Sequence, residues 1–213
     1  YMAFAISAGA KIRTIATTIE EGFSLPKVEK FEELINERTK AILICNPNNP
    51  TGYLYTRREM NQIRDLVKKY DLFLFSDEVY REFIYTGSPY ISACHLEGVE
   101  QNVVLIDSVS KRYSECGIRI GALITKNKKL RDYMVKYLTM MMTVSSVFLI
   151  KEGSEESLLK REELWEYLKN KNKIMYRMIN KMALSKPMQF RSKAGRKIVV
   201  WGYSLSQKIY GFN

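Results

Sequence analysis

Histidine and cysteine are nearly absent from this sequence, which has one histidine and three cysteines among its 213 residues. The cysteines, Cys45, Cys94 and Cys116, lie far apart and form no CxxC pair. This spacing is typical neither of a disulfide framework nor of a zinc site, and it favours a reducing, cytoplasmic location. The single histidine, His95, falls in a loop-like stretch, and we interpret it as a packing or surface residue. No metal centre is predicted.

A hydrophobic run long enough to cross a membrane is also missing. The longest one, residues 138–150, has 13 residues and includes threonine and serine. A membrane-spanning helix needs about 20 predominantly apolar residues. The run therefore predicts a buried helix, and we expect no membrane partner.

Acidic residues are missing from the last part of the sequence. After Glu166 there is none, although 11 lysines and arginines follow, and the whole chain has a formal net charge of +11. A basic surface can attract nucleic acid or anionic lipid. No nucleic-acid recognition motif accompanies the charge here, so we predict a solvated basic surface and no nucleic-acid partner.

The rest of the composition is that of a globular protein, with 46% hydrophobic and 12% aromatic residues. Residues 1–125 alternate strand-like and helix-like segments, which predicts an α/β fold with a mostly parallel central sheet and flanking helices. A helix with a capping box formed by Thr56 and Glu59 is expected to run to Tyr70. Strands are expected at residues 11–16, 41–45, 72–75, 103–106, 118–125 and 198–201.

Two details of this prediction concern packing and domain organisation. The apolar run at 41–45 is expected to be buried on both faces, and the strand at 118–125 is expected to be antiparallel. Helix is expected to dominate residues 128–184. We divide the chain into a partial large domain, residues 1–143, and a helical, basic C-terminal segment, residues 144–213.

A polar segment follows each of three predicted strands in the middle of the sheet. These segments are NPNNPTG (46–52), SDEVY (76–80) and DSVSK (107–111), and the last one leads on to Arg119. In an open parallel sheet, ligands bind beyond the carboxyl ends of the strands. We therefore expect the three segments to share one rim of the sheet.

The groups in these segments match the chemistry of pyridoxal phosphate. A lysine amine can form a Schiff base with the aldehyde. A carboxylate facing the pyridine nitrogen keeps it protonated, which makes the ring an electron sink. Asparagine and tyrosine can hydrogen-bond the phenolic oxygen, and serine and arginine suit the phosphate.

The ordered motifs NPNNPTG, SDEVY and SVSKRYSECGIRIG resemble those of class I/II aminotransferases, which form the aspartate aminotransferase superfamily of fold type I. The resemblance implies a pyridoxal-phosphate-dependent enzyme that moves an amino group between an amino acid and a 2-oxo acid. It implies that Lys111 forms the Schiff base with the cofactor and serves as the general base.

The resemblance also implies a role for each of the other motif residues. Asp77 would pair with the pyridine nitrogen, and Tyr80 and Asn49 would contact the phenolic oxygen. Ser108 and Arg119 would bind the phosphate. The peptide bond between Asn49 and Pro50 would be cis, as it often is in this family.

The resemblance covers roughly residues 1–143 and implies a homodimer, but it leaves alternatives open. The motifs hold the cofactor and do not choose which bond breaks, so a lyase or synthase on the same scaffold is one alternative. A non-catalytic fragment that binds a partner through its basic tail is another. The motifs do not identify the amino acid substrate, and no arginine that would grip its α-carboxylate is recognised.

Overall fold

The central sheet lies in the first of the two units into which the chain folds. The computed structural model describes residues 1–211, without the side chain of Tyr210. The first unit is Tyr1–Lys128, and the second begins at Lys129. Each unit has its own hydrophobic core.

Within the described residues, four strands form one sheet: β1, Ala41–Cys45; β2, Phe73–Asp77; β3, Val103–Ser108; and β4, Gly121–Thr125. They lie side by side in the order β1-β2-β3-β4. β1, β2 and β3 run parallel, and β4 runs antiparallel to β3. The predicted α/β fold and the antiparallel direction of the last strand are confirmed.

The first unit, all of which is described, contains four α-helices: α1, Met2–Ser7; α2, Val28–Glu32; α3, Arg57–Tyr70; and α4, Val109–Arg112. α3 carries the main packing face. Met60, Ile63 and Val67 recur on it at helical spacing and are fully buried in one core with the side chains of β1 and β2. Burial of each such side chain stabilises the fold by about 1.5–3 kcal/mol.

β1 differs from expectation in its burial. Ile42 and Ile44 are buried in the core that includes α3, whereas Leu43 is 43% exposed. Successive side chains of a strand point to opposite faces, and the core covers the face that carries Ile42 and Ile44. The prediction of burial on both faces is wrong for Leu43.

The start of α3 is held by the predicted capping box, which is confirmed. The Thr56 hydroxyl accepts a hydrogen bond from the Glu59 backbone N–H at 3.2 Å, and the Glu59 carboxylate accepts one from the Thr56 N–H at 2.7 Å. Glu59 also accepts from the Leu25 N–H at 2.8 Å and the Tyr53 hydroxyl at 2.9 Å. One carboxylate thus joins three segments of the chain.

In the described part of the second unit the helices are α5, Lys128–Glu152; α6, Glu155–Lys171; α7, Lys173–Asn180; and α8, Lys193–Tyr210. α5 begins at the last residue of the first unit. Trp165 and Ile179 are buried in the core that these helices form. The Trp165 indole N–H donates to the buried Ser146 hydroxyl at 3.0 Å, so the polar edge of the ring is satisfied.

α5 is long and apolar enough to cross a membrane by length and composition. The core helix of a soluble protein meets the same criterion, and α5 buries Val135, Met142 and Ile150 in the core of the second unit. Length and composition therefore do not establish a membrane helix, and the absence of a membrane partner stays a prediction.

Two predicted strands are absent from the described residues. Residues 11–16 lie outside any helix or strand, and residues 198–201 lie within α8. Alternating apolar residues at 11–16 make no strand there, because a strand also needs a neighbour to pair its backbone groups. In α8, Ser192 caps the helix, and Val199 packs into the core together with Tyr203 four residues later.

The helical region predicted at 128–184 is confirmed as three successive helices. α5 ends before Gly153, which adopts a φ of 77°, and Asn172 separates α6 from α7. A positive φ is readily adopted by glycine because it has no Cβ. The boundary predicted at residue 143 lies within α5, whereas the two units divide the chain after Lys128.

The capping box makes the stability of the first unit depend on pH. Burial raises the pKa of the Glu59 carboxyl, but hydrogen bonds from Leu25, Thr56 and Tyr53 outweigh burial, and the pKa lies below its usual value. The unfolded chain therefore binds this proton more tightly than the folded one. The resulting stabilisation is complete above the ordinary glutamate pKa and is lost as the pH falls through the lowered pKa of the folded state.

We expect Glu59→Gln to lower the free energy of unfolding of the first unit by about 1 kcal/mol at neutral pH and to remove this pH-dependent contribution. Urea denaturation followed by far-ultraviolet circular dichroism at a series of pH values checks this. Trp165 and Trp201 both lie in the second unit, so tryptophan fluorescence reports that unit separately. Glu29→Gln, at an exposed position of α2, is the control. The expectation would be contradicted if the difference in free energy of unfolding between wild type and Glu59→Gln did not change below about pH 5.

Candidate active site

The carboxyl ends of the three parallel strands lie next to one another at one edge of the sheet. Cys45, the last residue of β1, pairs with Asp77, the last residue of β2, and Asp77 pairs in turn with Ile106 of β3. Ser108, at the end of β3, pairs with Gly121 at the start of β4. The three polar segments that follow these strands therefore share one rim, as the sequence predicts.

Asn49, Tyr80 and Lys111 are brought together at this rim. The Asn49 side-chain amide donates to the Tyr80 hydroxyl at 3.1 Å. The Lys111 amine lies 5.8 Å from the centre of the Tyr80 ring. Tyr80 thus lies next to one residue from each of the other two polar segments, although each of those residues is 31 positions away in sequence.

The loop that carries Asn49 is anchored by a buried asparagine at its start. Asn46 accepts from the Tyr55 N–H at 3.0 Å and donates from its amide to the Ile91 carbonyl at 3.4 Å. The peptide bond between Asn49 and Pro50 is cis, as predicted, and the bond between Asn46 and Pro47 is cis as well.

Asp77 is held by two contacts at the end of β2. Its carboxylate accepts from the Val79 backbone N–H at 3.2 Å and from the Tyr1 hydroxyl. Burial, followed by the hydrogen bond to Asp77, raises the pKa of the Tyr1 hydroxyl. The contact with Tyr1 is not predictable from the motifs, because Tyr1 lies 76 residues away and outside all three of them.

Glu78, next to Asp77, is fully buried and ties the end of β2 to a neighbouring loop. Its carboxylate accepts from the Ser76 hydroxyl at 3.0 Å and from the Ala93 backbone N–H at 2.8 Å. Burial, followed by the nearby Glu78 carboxylate, raises the pKa of the Tyr90 hydroxyl. Within the described residues, the second Glu78 oxygen and the Tyr90 hydroxyl have no hydrogen-bond partner.

Ser108 and Arg119 lie at the β3–β4 end of the rim. The Ser108 hydroxyl accepts from the Ser110 N–H at 3.0 Å, which caps α4, and it lies 2.8 Å from the Ser110 hydroxyl and 3.1 Å from the Ile120 carbonyl. Arg119 adopts a φ of 59°, a left-handed conformation, and its guanidinium donates to the Cys116 carbonyl at 3.1 Å. Ser108 therefore contacts the residue next to Arg119.

A groove of about 320 Å³ adjoins part of this rim. Asn49 and Tyr80 line it together with apolar and aromatic side chains that include Phe83 and Tyr85. Asp77, Ser108, Lys111 and Arg119 do not line it. The structure thus brings Asn49, Tyr80 and Lys111 into contact and places the other three predicted residues along the same strand ends.

The residues at the rim fit pyridoxal phosphate by the chemistry of their donor groups. Lys111 provides an amine for the aldehyde, and Asp77 provides a carboxylate for the pyridine nitrogen. Tyr80 and Asn49 already share a hydrogen bond, so both can donate to one phenolic oxygen. A hydroxyl and a guanidinium suited to a phosphate follow along β3 and β4. The mostly parallel sheet and this residue set define an α/β protein of the pyridoxal-phosphate-dependent transferase class.

The family comparison agrees with this class and makes it specific. The model of the family described as aminotransferase class I and II matches residues 1–182. The chain belongs to this family. All six predicted site residues lie within the matched range.

Aminotransferases are among the known proteins that the chain resembles. Aromatic-amino-acid aminotransferase 2 of Thermococcus litoralis is 29% identical over 192 residues, which cover 86% of this chain and 48% of the relative. The crystal structure of aspartate aminotransferase from Thermotoga maritima has a TM-score of 0.54 and 36% identity, over 58% of this chain and 32% of that one.

A further solved structure is a PLP-dependent aminotransferase from Streptococcus suis. It has a TM-score of 0.52 and 34% identity, and the match covers 61% of this chain and 34% of that one. The chain spans less than half the length of the curated relatives that it matches over most of its own length.

We expect Glu78→Ala to lower the free energy of unfolding of the first unit by about 2–3 kcal/mol, because it leaves the Ser76 hydroxyl and the Ala93 N–H buried without an acceptor. Urea denaturation and hydrogen exchange of the Ala93 amide measure the effect. Glu97→Ala, at an exposed position, is the matched control. A loss no larger than that of Glu97→Ala would show that the buried carboxylate does not hold the loop.

Proposed function

We propose that this chain carries the cofactor-binding part of a pyridoxal-phosphate-dependent aminotransferase that moves an amino group between an amino acid and a 2-oxo acid. The meeting of Asn49, Tyr80 and Lys111 at the strand ends beside Asp77 is the observation that carries the proposal. The family match supports it, because the six proposed cofactor contacts lie within the matched residues 1–182.

Bound pyridoxal phosphate supplies an electron sink for the negative charge that forms on the substrate's α-carbon. In the proposed arrangement, the Lys111 amine holds the cofactor's aldehyde covalently. The Asp77 carboxylate accepts a hydrogen bond from the protonated pyridine nitrogen, and its charge keeps that proton in place. The Tyr80 hydroxyl and the Asn49 amide donate to the phenolic oxygen.

Two further residues orient the ring through its phosphate. Ser108 offers a hydroxyl at the end of β3, and Arg119 offers a guanidinium whose two-pronged geometry matches phosphate oxygens. With the cofactor bound, the Lys111 amine would also be placed to move the proton at the substrate's α-carbon. The same amine would thus both hold the cofactor and transfer a proton.

The oligomeric state and the location of the enzyme are proposed from the resemblance and from the cysteines. A homodimer is proposed because related enzymes form one. A cytoplasmic location is proposed from the separated cysteines, which the structure keeps free. The three motifs do not identify the amino acid substrate.

We expect pyridoxal phosphate to bond to Lys111 in this chain. Borohydride reduction fixes the cofactor on any lysine to which it has bonded, and peptide mass spectrometry then locates the label. Lys111→Ala should lose the specific label and leave the far-ultraviolet circular dichroism unchanged, since Lys111 is an exposed residue of a short helix. Lys40→Ala, at another exposed lysine, is the control. Labelling of wild type that is spread over many lysines without preference for Lys111 would contradict the proposal.

We expect Tyr80→Phe to retain the label on Lys111 but to weaken cofactor binding several-fold, because one hydrogen bond to the phenolic oxygen is lost. Titration of the label against cofactor concentration measures this. Tyr85→Phe removes the hydroxyl of a tyrosine that is 88% exposed, and it should bind as wild type does. If Tyr80→Phe bound the cofactor as tightly as Tyr85→Phe does, Tyr80 would not be a cofactor contact.

A further inference from the structure

We propose that Asp107 is a positioning residue that sets the place of the Lys111 amine by holding Arg81 and Arg112 together. This inference rests on the proposed function, because it concerns how that site is held in shape. Asp107 lies outside the six residues of the predicted site, and the motifs gave it no role.

Asp107 is the centre of a small ion cluster below the rim. Its carboxylate lies 2.9 Å from the Arg81 guanidinium and 3.2 Å from the Arg112 guanidinium. Glu82 completes the cluster from outside, at 3.3 Å from Arg112 and 3.6 Å from Arg81. The two guanidinium groups therefore share two carboxylates: that of Asp107, which is mostly buried, and that of Glu82, which is exposed.

Three members of this cluster are each next in sequence to a proposed cofactor contact. Arg81 follows Tyr80, Asp107 precedes Ser108, and Arg112 follows Lys111. Each of these ion pairs therefore acts on a backbone segment one residue away from a proposed cofactor contact. The cluster links the segment after β2 to the segment after β3.

α4, which carries Lys111, is too short to fix its own orientation. It contains four residues, about one helical turn, and a single turn is not stable by itself. Asp107 contacts both of its ends: the Ser108 N–H donates to the carboxylate at 2.8 Å, and Arg112 pairs with it from the last residue. One carboxylate thus contacts the residue that caps the turn and the last residue of the turn, so it helps to orient the turn and Lys111.

Burial makes the Asp107 charge difficult to replace. Its side chain is 13% exposed, whereas that of Glu82 is 54% exposed and is screened by water. Charges interact more strongly where water is excluded. Neutralising Asp107 leaves two adjacent guanidinium groups that repel each other, and the weaker Glu82 pairing does not offset this repulsion.

Asp107→Asn keeps the shape of the side chain and an acceptor for the Ser108 N–H, but it removes the charge. We expect it to reduce the borohydride-fixed label on Lys111 by about tenfold, since misplacement by roughly 1 Å can cost about a hundredfold in rate. We also expect it to change the cofactor's circular dichroism per mole of label on Lys111. A loss of folded protein alone would lower the amount of label without changing that signal.

The chain offers a matched control and a second variant. Asp65→Asn removes another arginine-paired carboxylate, 2.8 Å from Arg64 on α3 and away from the strand ends, and it should label as wild type does. Arg112→Lys keeps every charge but loses the guanidinium geometry, and it should also reduce the label on Lys111. If Asp107→Asn does not fold, Arg112→Lys decides: a reduced label supports the role of Asp107, and a wild-type label overturns it. Asp107→Glu, which restores the charge, should recover part of the label.

The two hypotheses fail in different ways. Wild type that shows no preferential label on Lys111 would contradict the proposed function, and the role of Asp107 with it. Wild type labelled on Lys111, with Asp107→Asn labelled to the same extent and with the same circular dichroism, would overturn the positioning role alone.

Discussion

The parallel pairing of β1, β2 and β3 is the constraint on which the rest of the structure depends. Parallel strands bring their carboxyl ends to one edge, so loops that are distant in sequence become neighbours there. The pairing of Cys45 with Asp77 and of Asp77 with Ile106 fixes the order of those loops. Without this register the amide, phenol and amine of the proposed site would have no reason to meet. The core that includes α3 and one face of these strands holds the register in place.

Much of the fold and of the site was predictable, because the signals that specify them are local. A run such as AILIC at β1 marks a strand within five residues, and Thr56 with Glu59 marks the start of α3 within four. The meeting of Asn49, Tyr80 and Lys111 was predictable for a related reason: each occurs within a short motif that follows a strand. Sequence order and the parallel topology then place Asn49, Tyr80 and Lys111 together.

What the sequence did not reveal depends on contacts between distant segments. The valine-rich residues 198–201 have a strand-like composition, yet they form part of a helix because Val199 packs into the core of the second unit. Leu43 belongs to an apolar run but is exposed, since burial depends on what covers each face of the sheet. The contact of Tyr1 with Asp77 spans 76 residues in sequence, and the pairing of Arg81 with Asp107, which Arg112 joins, spans 26. No periodicity or motif encodes such pairs.

The rim combines the proposed cofactor contacts with buried polar residues that lie close to them in sequence. Asn46 is buried three residues before Asn49, Glu78 is buried next to Asp77 in sequence, and Asp107, whose side chain is 13% exposed, directly precedes Ser108. A group that must reach a ligand has to remain accessible, so its own burial cannot fix its position. A buried polar neighbour can, because breaking its hydrogen bonds away from water is costly. Each motif therefore needs accessible residues that can reach a ligand and buried polar residues beside them. The buried residues determine how well the accessible ones are placed.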